Sequence, residues 1–126
     1  MIAVVVIGEI DDEQKKTSLK FRIKHPRRIG KFYHAYDKKG GHPSLVYFGD
    51  PDKDTYFIQR FSTKKRKGRE KLKFNIDPGS KKEQWLVRRP EVVGYDDMTY
   101  KKEYEKFRVH PSDIETVKKY QKYKFK

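Results

Sequence analysis

Five residues in two neighbouring segments carry the side chains needed for acid–base chemistry on an anionic substrate. His42 stands at the start of one predicted strand, whereas Arg60, Ser62, Thr63 and Lys64 lie at the end of the next. A tight turn between the strands would form a hairpin that brings both groups to one end of a sheet. Histidine has an ordinary pKa of about 6.5 and serves as acid or base near neutrality. These groups are able to act on a phosphodiester.

Cleavage of RNA without a metal ion requires few protein groups, because the ribose 2′-OH is itself the nucleophile. The protein supplies a base, an acid for the 5′-oxygen, and cations or fixed donors for the phosphoryl oxygens. We assign His42 as base or acid, Arg60 and Lys64 as cations, and Ser62 and Thr63 as hydrogen-bonding groups. Taken singly, each residue has an ordinary structural explanation, such as a strand-start histidine or a hydroxyl pair in a turn. The prediction depends on their combination.

The strong positive charge favours a polyanionic partner. The chain of 126 residues has 32 Lys and Arg against 18 Asp and Glu, a formal net charge of +14. Directly after Ser62 and Thr63 comes a densely basic segment, which we expect to be an exposed, mobile loop that tracks an RNA backbone. Its predicted RNA-binding residues are Lys65, Arg66, Lys67, Arg69, Lys71 and Lys73. Aromatic residues that could stack unpaired bases where exposed are Tyr33, Tyr36, Tyr47, Phe61 and Trp85. An acidic protein partner fits the same charge.

Other kinds of site find little support in the sequence. The four histidines do not pair at metal-ligand spacing, and the acidic turn Asp50–Asp54 lacks the glycine and glutamate of a calcium loop. Gly40 and Gly41 lack the context of a phosphate-binding loop, and Ser62 lacks that of a strained nucleophile elbow. The absence of cysteine excludes disulfides and thiolate metal sites. We therefore expect neither metal nor cofactor.

Short strands separated by turns predict a mainly β fold of the α+β class. The pattern indicates an antiparallel sheet or barrel closed by a C-terminal helix, for which Ser112 and Glu115 form a capping-box sequence. Ile114, Val117 and Tyr120 then follow at helical spacing. The segment 96–107 fits either helix or strand. The predicted strands are 31–36, 43–48, 55–61, 71–76, 84–87 and 91–93.

The first 27 residues predict an additional hairpin. Ile2–Ile7 is a continuous apolar run and Leu19–Ile23 alternates apolar with basic residues, so both suit strands. The apolar run is too short for a membrane span and lacks the basic residues that open a signal peptide. We expect a single domain over residues 1–126 in a soluble cytoplasmic protein that does not contact membranes.

Several motifs resemble those of the MazF/PemK family of toxins. Arg28–Tyr33 is similar to that family's opening glycine and strand, and His42–Val46 to its Arg-Pro-x-x-Val strand. Phe61–Lys64 resembles the following strand, which ends in a Thr/Ser pair. Further similarities are found in Trp85–Arg88, in Glu91–Gly94 and in the final helix, residues 111–122. The resemblance covers roughly residues 28–122 and rests on order and spacing more than on identity.

The resemblance implies a compact SH3-like barrel with a C-terminal helix, usually a homodimer. It further implies a metal-independent endoribonuclease of a toxin–antitoxin system that cleaves single-stranded RNA. The family's hydroxyl falls on Thr63 or Ser62, but its catalytic arginine falls on His42, which offers neither permanent charge nor a bidentate fork. Arg60 or Lys64 would have to compensate. The Ser62-Thr63-Lys64 arrangement also resembles the ToxN-like branch, whose antitoxin is a small RNA, so the antitoxin stays open between RNA and acidic protein.

Two alternatives remain open. A non-catalytic, basic nucleic-acid-binding module on the same fold, regulatory or of phage origin, is favoured by the missing arginine. A structural or ribosome-associated basic protein would use the charged segment and not His42.

Overall fold

The computed structural model describes residues 26–121, which form one antiparallel sheet and one short α-helix. The predicted N-terminal hairpin lies outside the described residues, apart from its last two positions. The strands are β1 (Phe32–Ala35), β2 (His42–Asp50), β3 (Thr55–Ser62), β4 (Arg69–Lys71), β5 (Trp85–Val87), β6 (Glu91–Val93) and β7 (Met98–Thr99). The helix α1 spans Ile114–Lys119, and 3-10 turns occupy Pro51–Lys53, Tyr95–Asp97, Lys102–Lys106 and Pro111–Asp113.

β3 is the strand on which the sheet is assembled. The order is β4-β5-β3-β2-β1-β7, and β6 also pairs with β3. β3 therefore shares one edge between two partners, β6 along Tyr56–Ile58 and β5 at Phe61 and Ser62. β4 and β7 end the sheet and do not pair with each other within the described part of the chain. The predicted mainly β fold with a C-terminal helix is confirmed, with a sheet that stays open.

Both faces of the sheet are buried, because alternate residues of the central strands pack into two separate clusters. One cluster holds Phe32, Leu45 and Phe61 together with residues from the long loop after β4 and from α1. The other is built from Tyr33, Ala35, Val46, Tyr56, Ile58 and Met98. The helix is fixed to the first face by Gln59, whose side chain is fully buried and donates to the carbonyl oxygen of Val117 at 2.9 Å.

Most predicted strands are found within a few residues of their predicted bounds. The prediction for 71–76 is wrong, since only Lys71 belongs to a strand and the chain then forms a loop up to residue 84. The reason is that Leu72 and Ile76 both point into the core, while the backbone N–H groups of Lys73 and Phe74 donate to a carboxylate on Asp113. Their hydrogen bonds are thus satisfied outside any ladder.

The basic segment is also only partly a loop. Residues 64–68 are exposed, as predicted, but Arg69–Lys71 forms β4 and pairs with β5. The ambiguous segment 96–107 contains both a short strand, β7, and two 3-10 turns.

The C-terminal helix is confirmed, but the predicted capping box between Ser112 and Glu115 is wrong. A 3-10 turn precedes the helix, and its N-cap is His110, whose Nδ1 accepts from the Ser112 N–H at 3.1 Å. Of the predicted apolar stripe, Val117 is buried, whereas Ile114 is 36% exposed.

Candidate active site

A cavity of about 530 Å³ lies at the end of the β2–β3 hairpin opposite its turn. Four of the five predicted catalytic residues line it, namely His42, Ser62, Thr63 and Lys64. The hairpin register explains this meeting. Ser44 pairs with Arg60, so His42 lies two residues before one member of the pair and Ser62 two residues after the other.

His42 contacts a carboxylate that sequence patterns did not reveal. Its Nε2 lies 3.4 Å from Oδ2 of Asp37, in the loop between β1 and β2. Burial lowers the pKa of the His42 imidazole below its ordinary value, and the Asp37 carboxylate offsets only part of this effect. The hydrogen bond from the Lys39 N–H, with further help from His42, lowers the pKa of Asp37. The site therefore holds a neutral imidazole beside a carboxylate at neutral pH.

The loop that carries Asp37 is held close to β1. Nε2 of His34 lies 2.8 Å from the Gly40 carbonyl oxygen, and the Lys39 N–H donates to Asp37 Oδ1 at 2.7 Å. Gly41 has a φ of +112°, and a Cβ there would lie 2.3 Å from the Ala35 carbonyl oxygen. Only glycine fits this conformation and this close approach. Gly41 thus sets the distance between the loop and the strand that begins with His42.

The hydroxyl pair divides into one buried and one exposed group. Ser62 is 5% exposed, and its Oγ accepts from the Lys64 N–H at 3.2 Å, which shapes the chain as β3 ends. Thr63 is exposed, and its hydroxyl forms no hydrogen bond with any other residue described. Thr63 is thus the hydroxyl available to a ligand.

Arg60 does not line the cavity. It is 7% exposed, and its guanidinium donates to the carbonyl oxygens of Ala35 at 2.7 Å and Tyr36 at 2.9 Å, and also to Glu91. Arg60 points to the strands beneath the loop of Asp37, so its geometry suits a positioning role rather than direct contact with phosphate.

The far wall of the cavity comes from the loop between β4 and β5. Gln84 is buried and donates to the Ser62 carbonyl oxygen at 2.9 Å, which fastens this loop to the end of β3. The amide of Asn75 donates to Ser80 Oγ at 3.2 Å and to the Lys82 carbonyl oxygen at 3.0 Å. The residues of this wall were missed in the sequence, where 71–76 was predicted as a strand and no residue between 74 and 84 was assigned to the site. They are Asn75, Ile76, Asp77, Ser80, Lys82 and Gln84.

The predicted RNA-binding residues separate into two groups. Arg66 and Arg69 line the cavity with Lys39, Lys64 and Lys82, against two carboxylates, Asp37 and Asp77. The other four lie outside it. The Lys65 ammonium is 5.9 Å from the ring centroid of Trp85, Lys71 pairs with Glu83 at 3.4 Å, and Lys67 and Lys73 are exposed. The cavity has an excess of positive charge, as an anion site requires.

The predicted stacking residues are mostly unavailable. Tyr33, Tyr47 and Phe61 belong to the core, with exposures of 9% or less. Tyr36 is 50% exposed and Trp85 is half-buried.

No group of three or more His, Asp or Glu residues within positions 26–121 is arranged to hold a metal ion. Nor does this part of the chain contain a helix with the length and apolar character needed to cross a bilayer.

Comparison with known proteins gives a likeness in fold. No protein-family model matches the chain, and no curated protein sequence does. Among solved structures, the chain is similar to an endoribonuclease in complex with its cognate antitoxin from Mycobacterial species. The TM-score is 0.50 and the identity 15%, covering 75% of this chain and 89% of that chain. The resemblance to toxin endoribonucleases is thus confirmed at the level of the fold.

Proposed function

We propose that the protein is a metal-independent endoribonuclease that cleaves single-stranded RNA by attack of the ribose 2′-OH. The observation that carries the proposal is the meeting of His42, Thr63 and Lys64 around one cationic cavity. A base, a hydroxyl donor and a cation are the groups that cleavage of RNA requires, since the nucleophile is the 2′-OH of the RNA itself. The fold likeness to an endoribonuclease supports the same activity class.

His42 is the general base in this proposal. With its Nε2–H directed at Asp37, Nδ1 takes the proton of the 2′-OH, and the lowered pKa keeps this nitrogen unprotonated near neutrality. The 2′-oxygen then bonds to phosphorus as the bond from phosphorus to the 5′-oxygen breaks. The leaving 5′-oxygen takes a proton from solvent. The products are a 2′,3′-cyclic phosphate and a 5′-hydroxyl end.

Charge on the phosphoryl oxygens is balanced by Lys64 and Arg69, with the Thr63 hydroxyl as a hydrogen-bond donor. Arg69 also donates to the Lys64 carbonyl oxygen at 2.8 Å, so its guanidinium is held against the backbone of Lys64. They take the place of the family arginine whose position His42 occupies. Arg60 contributes by holding the backbone that carries Asp37.

We further propose that the protein is the cytoplasmic toxin of a toxin–antitoxin pair, built as one domain. Its antitoxin is a small RNA or an acidic protein, either of which suits a chain of net charge +14. A homodimer or an antitoxin-bound assembly is the expected state.

The test is cleavage of single-stranded RNA in EDTA by three variants. His42→Ala is expected to slow cleavage by about 10²- to 10⁴-fold, the usual contribution of a general base. Thr63→Val is expected to slow it less while preserving shape. Thr55→Val is the matched control, because it makes the same change at the opposite end of β3. Unchanged cleavage by His42→Ala, or strict dependence on added metal, would falsify the assignment.

A non-catalytic nucleic-acid-binding module remains the second candidate. It is favoured by the histidine at position 42, where the family has its catalytic arginine, and by Arg60, which donates to Ala35, Tyr36 and Glu91 and so does not compensate in the cavity. For this function, salt-sensitive RNA binding is expected with no cleavage products, and His42→Ala would leave binding unchanged.

A further inference from the structure

An aromatic pair of Phe74 and His110, of which Phe74 directly precedes the cavity-wall residues Asn75 and Ile76 in the chain, has no role in the proposed chemistry. Phe74 is 49% exposed and stacks on His110, with ring centroids 3.8 Å apart and an interplanar angle of 24°. The imidazole is itself held in place, since its Nδ1 accepts from the Ser112 N–H. An aromatic ring that is half-exposed and held by a neighbouring side chain can stack on a flat ligand.

The backbone beneath Phe74 is fixed by a buried carboxylate. Asp113 is 2% exposed, and its two oxygens accept from the N–H groups of Lys73 at 2.8 Å and Phe74 at 3.0 Å. Burying a carboxylate is costly unless it is fully hydrogen-bonded. Here the side chain serves to hold the backbone of two exposed residues. The backbone that carries the phenyl ring is therefore fixed, and the ring itself stacks on His110.

The stacked pair is next to the cavity in the chain. Asn75 and Ile76, the two residues after Phe74, belong to the cavity wall, and the residue before it is the exposed Lys73. An RNA backbone bound by the cavity cations would carry its neighbouring bases toward Phe74. Aromatic side chains beside a cationic groove are the usual means of binding single strands without sequence preference.

We infer that Phe74, supported by His110, stacks on an unpaired base of an RNA nucleotide flanking the phosphate held in the cavity. The inference rests on the proposed function for the identity of the ligand. It adds a binding subsite outside the residues that act on the phosphate. Its occupant is a nucleobase, because the cationic cavity beside the ring selects a polyanion and the ring itself accepts a flat apolar face.

The experiment uses the full chain and a mixed-sequence 2′-O-methyl octaribonucleotide, which has no free 2′-OH and is not cleaved. One base at a time is replaced by 2-aminopurine, whose fluorescence falls on stacking, and Kd is measured by anisotropy. Wild type is expected to quench at one position. Phe74→Ala is expected to abolish that quenching and to raise Kd by about 5- to 140-fold, the range for loss of one stacked base. Phe74→Tyr should retain both.

Ile29→Ala is the matched control, since Ile29 is 62% exposed and does not line the cavity. It should leave quenching and Kd unchanged. Equal quenching and Kd for wild type and Phe74→Ala would overturn the inference. So would a change in oligomeric state caused by Phe74→Ala with RNA binding intact, which would make a second copy the occupant. If wild type stacks the base but does not cleave all-ribose RNA, the inference stands and the proposed activity fails.

Discussion

Arg60 supports the cavity from beneath. Its guanidinium holds the carbonyl oxygens of Ala35 and Tyr36, the two residues before Asp37, and also pairs with Glu91. Because Asp37 contacts His42, the arginine acts on the histidine only through the backbone that it fixes. An arginine suits this place because its planar fork satisfies several acceptors at once.

We predict that Arg60→Ala lowers the free energy of unfolding by about 2–4 kcal/mol, because the buried carbonyl oxygen of Ala35 and the part-buried one of Tyr36 lose their donors. The midpoint of urea denaturation at constant m-value measures this. Arg88→Ala is the control, since Arg88 pairs with Glu70 at 3.4 Å on the exposed surface and should cost less than about 1 kcal/mol. Equal losses in the two variants would contradict the buried role of Arg60.

The pH dependence of cleavage should reveal His42 and its carboxylate. Since burial lowers the pKa of His42, activity is expected to rise with pH through a midpoint below about 6.5 and then level off. Asp37→Asn removes the group that raises this pKa, so the rising limb should move to lower pH. The pH–rate profile and an NMR titration of the imidazole provide the measurement. If the rising limb stays at the same pH in Asp37→Asn, Asp37 does not affect the pKa of His42.

The same pKa shift links His42 to stability. The folded-state pKa lies below the unfolded value, so between the two the unfolded chain binds more protons. The contribution of His42 to stability is therefore present at neutral pH and is lost as pH falls from the unfolded value through the folded one.

At the residue scale, sequence patterns found what the hairpin brings together. His42 and Ser62 could be predicted as neighbours because they lie at the open end of a hairpin whose two strands are joined by a short turn. Asp37 and Asn75 could not, because the loops that bring them to the cavity have no periodicity. Arg60 was assigned to phosphate by its charge, and nothing in its sequence neighbourhood indicates that Ala35, Tyr36 and Glu91 occupy its donors.

At the scale of elements, the loop between β4 and β5 depends on the turn before α1. Asp113 in that turn accepts two backbone hydrogen bonds from the loop. Gln84 fastens the other end of the loop to β3. The cavity wall is therefore held by polar side chains rather than by a ladder, which explains why alternating hydrophobic residues gave a wrong strand at 71–76.

We predict that Asp113→Ala destabilises the fold by about 2–4 kcal/mol, because two part-buried N–H groups lose their acceptor. Ser112→Ala should cost less than about 0.5 kcal/mol, since its hydroxyl does not cap the helix. Hydrogen exchange at the amides of Lys73 and Phe74 should quicken only in Asp113→Ala. A large loss of stability in Ser112→Ala would instead support the capping box that the sequence predicts.

At the scale of the whole molecule, net charge and its placement should govern RNA affinity. The formal charge of the chain is +14, and five Lys and Arg side chains converge on the cavity. Release of counterions makes such binding fall steeply with salt. Composition indicates only that the partner is a polyanion, whereas the folded chain shows which cations lie around one cavity.

Arg66→Gln should lower the slope of log K against log salt by about 0.7, the value for one contact with a single-stranded phosphate. Lys53→Gln, in the hairpin turn at the opposite end of β2 and β3, makes a comparable change of charge away from the cavity. Its slope should equal that of wild type. Anisotropy titrations with the 2′-O-methyl RNA at several salt concentrations provide both slopes, and identical shifts would mean that only total charge matters.

The division of β3 between β6 and β5 has a consequence for the order of folding. The β2–β3 hairpin closes through a short turn, whereas β5 and β6 reach β3 only after long intervening segments, so loop entropy favours the hairpin first. The end of β3 that lines the cavity is completed only when β5 and Gln84 pack against it. Val46→Ala should therefore give a higher φ-value than Leu86→Ala. A higher φ-value for Leu86→Ala would refute this order of folding. The cavity would be the last region of the domain to form.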